Sequence, residues 1–283
     1  MRLGGRAAAS AGLAWLLVGC AIPTAQPPAL NRLVAALGSQ PIVLLGEVHD
    51  NSEQHALRAL ALRRHLADGA RPVLLMEQFD RERQAALDSA LARADATVDS
   101  VIEAGSPAPD RAGWDWHLYR PYIALALEYR LRVVAANVSR ADARRVMAQG
   151  LSALGFDPAV PPDVATAQAQ AIVDGHCGAL DTAQARPLVA AQVARDQFMA
   201  RRVEAHARDG VVLLAGNGHV RSDIGVPRWL AARQRERSVA IGLVEAGSGG
   251  AAAYDIAIET PAQGRPDPCA GFSGITAPVP VRP

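Results

Sequence analysis

Four short apolar runs punctuate the chain: Pro41–Leu45, Pro72–Met76, Arg132–Ala136 and Val211–Ala215. Each is rich in Val or Ala and Leu and does not alternate with polar residues, the pattern of strands buried on both faces of a parallel sheet. Longer stretches with helical spacing lie between them. Residues 52–67 carry Leu57, Leu60, Leu62 and Leu66; residues 80–93 carry Leu87 and Leu91; residues 117–130 carry Leu118, Tyr122, Leu125 and Tyr129. Residues 140–153 follow Ser139, an N-cap type with Asp142 placed to donate to it. A long helix over 186–208 is bounded by Pro187 and Gly210. The alternation predicts an α/β domain with a mostly parallel central sheet and helices on both faces. Val239–Val244 and Tyr254–Ile258, joined by the Gly-rich 247–250, read as a closing hairpin. Residues 155–183 predict a small helical lobe, in which Pro161-Pro162 argues against one continuous helix.

The first segment obeys a different pattern. Arg2 and Arg6 precede an apolar run, Ala7 to Gly19, that contains no acidic residue. It is too short to span a bilayer stably and is laid out like a secretory signal. It ends in Leu17-Val18-Gly19-Cys20, which resembles a bacterial lipobox, where the Cys is acylated and becomes the new N-terminus. The expected organisation is a signal peptide over 1–19, a lipidated tether over 20–30, one α/β domain over 31–272 and an irregular tail over 273–283. Acyl chains on Cys20 would hold the protein on a membrane of the cell envelope. Ala21, not Asp, follows the Cys, which favours the outer membrane.

Charge and composition narrow the chemistry. Removing residues 1–19 takes away two Arg and no acid, so the formal net charge falls from +1 to −1. That is no electrostatic case for nucleic acid. All 29 basic residues are Arg, which excludes Walker-lysine and Schiff-base mechanisms. Cys177 and Cys269 are free to pair in an oxidising periplasm, and a bridge would be worth about 3–5 kcal/mol in the chain-entropy model. Two unlinked buried thiols are the alternative; the compartment favours the bridge.

In an open parallel sheet, ligands bind outside the carboxyl ends of the strands. Leu45 is followed by Gly46-Glu47-Val48-His49-Asp50-Asn51, Met76 by Glu77-Gln78, Ala136 by Asn137 and soon Arg140, and Ala215 by Gly216-Asn217-Gly218-His219. Loops need polar residues in any case, but these are groups that catalyse, ligate metals or bind anions. The candidate crevice therefore comprises Glu47, His49, Glu77, Asn137, Arg140 and His219. The helix at 186–208 places Gln192, Arg195, Asp196 and Met199 on one face, from which Arg195 could reach an anion or join a salt-bridge network. Glu47, His49, Glu77 and His219 suit a divalent metal with an open water position, the arrangement of a hydrolase or protease. Alternatively, Glu47 serves as general base with His49 or His219 and no metal.

Several stretches together resemble the ChaN-type haem-binding lipoproteins of the wider Tiki/TraB/erythromycin-esterase-like superfamily. They are Leu45-Gly46-Glu47-Val48-His49-Asp50, Met76-Glu77-Gln78-Phe79, Gly113-Trp114-Asp115-Trp116 with Tyr119-Arg120-Pro121, Ala136-Asn137-Val138-Ser139-Arg140, Gln192 with Arg195-Asp196 and Met199, Ala215 to Arg221, and Asp267-Pro268-Cys269. The resemblance implies binding of haem (iron protoporphyrin) in iron uptake, with envelope haem-uptake components as partners. It also implies a homodimer that holds haem between subunits, with a tyrosinate on the iron. Tyr is a hard oxygen ligand for ferric haem, and a neighbouring Arg favours its ionised form. Tyr119-Arg120, flanked by Trp114, Trp116 and Tyr122, offers that pair and an apolar wall. Tyr119 is the expected ligand and Tyr122 the reserve, with Arg120 or His117 reaching a propionate. Against this, Tyr119, Tyr122 and Tyr129 fall partly at helical spacing, as core aromatics do.

Overall fold

Six strands, all parallel, form one sheet in the order β3-β2-β4-β1-β5-β6. They are β1 (Ile42–Leu45), β2 (Val73–Asp80), β3 (Val133–Asn137), β4 (Val211–Leu214), β5 (Ser238–Glu245) and β6 (Ile256–Thr260). This computed structural model describes Met1 and residues 28–108, 113–267, 269 and 270. Cys20, the rest of the expected signal peptide and the tail from 273 lie outside the described residues. Among the described residues no helix is long and apolar enough to cross a membrane.

The unbroken apolar runs follow from burial on both faces. Val43 and Leu45, Leu74 and Met76, and Val212 and Leu214 point to one side. There they meet α1 (Pro28–Leu37), α2 (Ser52–Ala67), α3 (Gln84–Leu91), α4 (Val98–Gly105) and α5 (Trp116–Tyr129). Ile42 and Leu44, Val73 and Leu75, and Val211 and Leu213 point to the other, against Met199, Ala200 and Val203 of α8 (Thr182–His206). Alternate residues thus serve two cores, and neither set can be polar. The predicted lobe is present. α6 (Arg140–Gln149), α7 (Pro162–Gly175) and the first half of α8 enclose their own cluster around Val146, Phe156, Ile172 and Val189. Pro162 opens α7, where its missing N–H costs nothing. Cys177 and Cys269 are joined in a disulfide with Cα atoms 5.5 Å apart, tying the last described residues to this lobe.

Three expectations are corrected. β5 and β6 do not form a hairpin: they pair in parallel, from Ile241↔Ile256 to Glu245↔Thr260. Period-two alternation carries no strand direction. The return is short because β6 starts beside the middle of β5, and Gly247, Gly249 and Gly250 turn the chain at positive φ. β2 runs past Met76 to Asp80, so Glu77 and Gln78 are strand residues; its pairing with β3 shifts register between Met76 and Asp80. α1 starts at Pro28, inside the segment expected as tether. Two short helices lie between β4 and β5, α9 (Asn217–Val220) and α10 (Ala232–Arg235).

Candidate functional site

The loops leaving β1 and β4 touch because two glycines let them. A Cβ at Gly46 would overlap Asn217 Oδ1 and Val220 Cγ2, and one at Gly216 would sit 2.7 Å from Cε1 of His49. Each Gly-x-x-His segment can therefore fold its histidine back over the sheet edge.

Beneath the first loop lies Glu47, only 1% exposed. Its carboxylate pairs with the buried Arg58 of α2, with His49 Nδ1 at 2.9 Å and with His55 Nε2 at 2.9 Å. The Tyr119 hydroxyl donates to it at 2.8 Å. Burial alone would raise the Glu47 pKa. The Arg58 guanidinium, with His49 and His55, overrides that and holds it well below the carboxylate range. Arg58 also donates to the Leu45 carbonyl at 3.0 Å, which fixes α2 to the end of β1.

Under the second loop, Glu77 accepts from the Gly216 N–H at 2.8 Å and lies 3.3 Å from His219 Nε2. His219 Nδ1 lies 2.6 Å from Asp196 of α8. Burial opposes the charge on His219, but Glu77 and Asp196 outweigh it and raise its pKa to about 10. Glu77 is lowered to about 2, burial being overcome by the His219 charge. Asp196 is raised to about 6 because burial dominates there. The resulting state is an imidazolium clasped by carboxylates.

Above both loops opens a cleft of about 300 Å³. Of the expected crevice residues, His49, Glu77, Asn137, Arg140, Arg195 and His219 line it; Glu47 lies below and positions His49. Gln192 shares the lining, whereas Asp196 and Met199 turn inward, to His219 and to the sheet core. Arg83, Gln78 and Trp114 complete the functional lining. The His49 ring meets the Trp114 indole edge-on, centroids 5.0 Å apart. Gln78 is buried, and among the described residues neither of its amide atoms has a hydrogen-bond partner. Gln78 lies where β2 runs on beyond its apolar run, and Arg83 ends the 3-10 turn that follows it, past the point at which the pattern stops being informative.

The aromatic segment is corrected. Tyr119 and Tyr122 are 1% and 0% exposed, and Trp116 packs on Phe79 with centroids 5.3 Å apart. Burial, then the Glu47 charge, raises the Tyr119 pKa far above normal. Burial does the same to Tyr122, whose hydroxyl donates to the His55 carbonyl at 3.1 Å. A tyrosinate needs the opposite shift. Arg120 turns outward and pairs with Asp99 of α4, since adjacent helix residues do not share a face. His117 is exposed on the first turn of α5. The cation that does sit over Tyr122 is Arg58, at 5.4 Å. Its signal was a charge within the apolar stripe of α2, in step with Leu62.

The divalent-metal expectation is corrected too. Among the described residues no group of three or more His, Cys, Asp or Glu side chains is placed to hold a metal ion. Glu47 is spent on Arg58, and both His219 nitrogens are spent on carboxylates.

A parallel α/β sheet with glycine-histidine loops at two adjoining strand ends, under a cleft with three arginines, defines the class. Residues 33–230 match a family described as haem-binding uptake, Tiki superfamily, ChaN, and the chain belongs to that family. In structure the chain is similar to ChaN of Campylobacter jejuni, solved with cofacial haem binding. The TM-score is 0.66 at 19% identity, covering 80% of this chain and 89% of that one. It is more distantly similar to the H289N mutant of the erythromycin esterase EreC (TM-score 0.47, 15% identity, 77% and 73% covered). The type III effector HopBA1 gives a TM-score of 0.46 at 17% identity, with 83% and 94% covered. Those two likenesses carry no argument about chemistry. No curated protein matches the sequence.

Proposed function

We propose that this protein binds haem in iron uptake at the cell envelope, anchored through lipid on Cys20 to the outer membrane. The observation that carries the reading is the family match across the whole strand-end site, residues 33–230. The cleft's donor set fits the group. Arg83, Arg140 and Arg195 offer guanidinium groups to propionate carboxylates, and Trp114 offers an apolar edge. The buried Gln78 amide, unpartnered among the described residues, is a further polar group that a carboxylate could satisfy. Bound ferric haem supplies a Lewis-acidic iron; the chain's own residues orient it and neutralise its carboxylates.

At about 300 Å³ the cleft is at the small end of ligand sites and takes an edge of the porphyrin. The rest faces outward, and a second subunit covering it makes a haem-loaded homodimer. Cofacial haem in the Campylobacter protein supports that arrangement. Titrating haemin into the purified protein tests the reading: saturable binding with a shifted Soret band and haem-dependent dimerisation in sedimentation are expected. Absence of saturable binding removes it.

A second reading has one observation in its favour. His49 holds Glu47 with Nδ1, lines the cleft and has no partner on Nε2 among the described residues, the placement of a general base that activates water. Metal-free ester or amide hydrolysis, abolished in His49→Ala and insensitive to chelators, would support it; no turnover across an ester and peptide panel would remove it.

A further inference from the structure

We propose that the strand-end cleft also takes a free small hydroxycarboxylate, an anion with a hydroxyl beside its carboxylates, and that Gln78 reads the hydroxyl, whether or not the chain binds haem.

Gln78 is 3% exposed and lines the cleft, yet among the described residues neither Oε1 nor Nε2 has a partner. Turning the amide over exchanges the two atoms and leaves both unpaired, so the need is the same in either orientation. A buried polar group without a partner costs free energy, and a ligand that pairs with it recovers that cost. The sheet sets the side chain there. β2 takes four steps from Met76 to Asp80 while β3 takes two, from Ala135 to Asn137. Such an irregularity turns a side chain out of the regular alternation of a strand, and binding sites are a common place for it.

The two unpaired atoms ask for different chemistry. Nε2 needs an acceptor, which any carboxylate provides. Oε1 needs a donor, which an ionised carboxylate lacks. Ionised haem propionates therefore satisfy only half of Gln78. The donor that completes it is a neutral O–H rather than an ammonium, because the cleft is already positive. Arg83, Arg140, Arg195 and the His219 imidazolium outnumber Glu77 and Asp80 in its lining. The same excess favours a ligand with more than one carboxylate. Among the described residues neither Arg140 nor Arg195 makes an ion pair; Arg195 donates to the neutral Gln192 at 3.4 Å. A Cβ at Gly113 would come within 2.5 Å of Arg140 Nη2, so the glycine leaves that guanidinium its place at the cleft. Asn137 adds a donor. Its Oδ1 accepts from the Val138 N–H at 2.9 Å, which leaves its amide N–H groups for the cleft it lines. At about 300 Å³ the cleft takes a four-carbon dicarboxylate whole, whereas a porphyrin enters by an edge.

Malate and succinate differ by one hydroxyl and supply the test. Each is titrated calorimetrically into the purified protein without haemin. Saturable malate binding is expected, with succinate about tenfold weaker, the scale of one buried group left unpaired. Gln78→Met keeps the length of the side chain, removes both unpaired atoms and should bring the two ligands to equal affinity. Without ligand it should be at least as stable as the wild type in thermal unfolding. Arg140→Gln, at an exposed position, should weaken both ligands alike. Equal affinities in the wild type, or a malate preference that survives Gln78→Met, would overturn the role of Gln78 and with it the hydroxycarboxylate. A loss of stability in unliganded Gln78→Met would do the same, by showing that the amide is satisfied within the fold. Binding that Arg140→Gln leaves unchanged would place the anion outside the cleft. No saturable binding of either acid at millimolar concentration would remove the site. Haemin takes no part in these titrations, so a failure of the haem reading is seen separately, in the haemin titration alone.

Discussion

Gly46-Glu47-Val48-His49 and Gly216-Asn217-Gly218-His219 leave neighbouring strands with the same glycine-to-histidine spacing, yet the two rings meet opposite surroundings. At the end of β1 one carboxylate, Glu47, is shared among Arg58, His49, His55 and Tyr119, and His49 is half exposed. At the end of β4 one ring serves two carboxylates, and the His219 side chain is 12% exposed. Spacing brings each imidazole over the sheet edge. The balance of charge beneath decides what it does there: a ring with a spare nitrogen faces the cleft, and a ring with none locks elements together. His219 joins β2 to α8 across the loop of β4, whereas removing His49 leaves Glu47 three partners.

Arg58 is where that comparison breaks first. Among the described residues it is the only full-time cation in contact with Glu47. Arg58→Met should cost about 3–5 kcal/mol in denaturant unfolding, because an uncompensated carboxylate stays buried. Glu47→Gln on that background should recover part of the loss. A cost below the measurement error would mean that the histidines alone hold Glu47.

His219→Gln comes next, at about 1.5–3 kcal/mol, the range of a lost charge-assisted hydrogen bond. Its pH dependence is more telling. The folded pKa, about 10, lies above the unfolded 6.5. The stabilisation is therefore complete below pH 6.5 and is lost as pH rises through 10. The chain has no Lys, and Cys177 and Cys269 are bridged, so few other groups titrate in that window. Wild-type stability should fall between pH 7 and 10, and His219→Gln should flatten the slope. A slope that survives the substitution would assign it elsewhere.

The glycines test the same pair at the level of the backbone. Gly46→Ala drives a Cβ into Asn217 and Val220, at about 1–3 kcal/mol for overpacking. Gly216→Ala meets only the half-exposed His49 ring, which can give way, so its cost in stability should be smaller. Equal costs in thermal unfolding would show that the ring is as rigidly set as the core.

What the sequence disclosed follows the same division between spacing and surroundings. The first four strands were legible because burial on both faces leaves no polar position in runs such as Val43–Leu45 or Val212–Leu214. Polar residues at the ends of those runs located the cleft, since a parallel sheet puts every such end on one edge. β6 was misdirected because alternation looks alike in either direction. The aromatic segment was misread because residues close in the chain are not close on a helix. Trp116, Tyr119, Tyr122, Ile123 and Ala126 follow the inward face of α5, and Arg120 stands about 100° away from Tyr119. No spacing rule reveals that Glu47 takes Arg58, because the partner comes from a different element and is chosen by packing.

The smallest expected effect is the most discriminating. His49→Ala should change unfolding free energy by less than about 1 kcal/mol, the scale of substitutions outside the core. Glu47 keeps Arg58, His55 and Tyr119, so no buried charge is exposed by the loss. His219→Gln should do the reverse, costing stability while leaving haemin binding in place. The two variants, measured side by side by denaturant unfolding and haemin titration, should therefore separate along different axes. If both lose stability alike, His49 belongs to the clasp and its spare nitrogen is incidental. If both lose haem alike, His219 shapes the His49 pocket through Gly216 and Glu77, and the two loops act as one site.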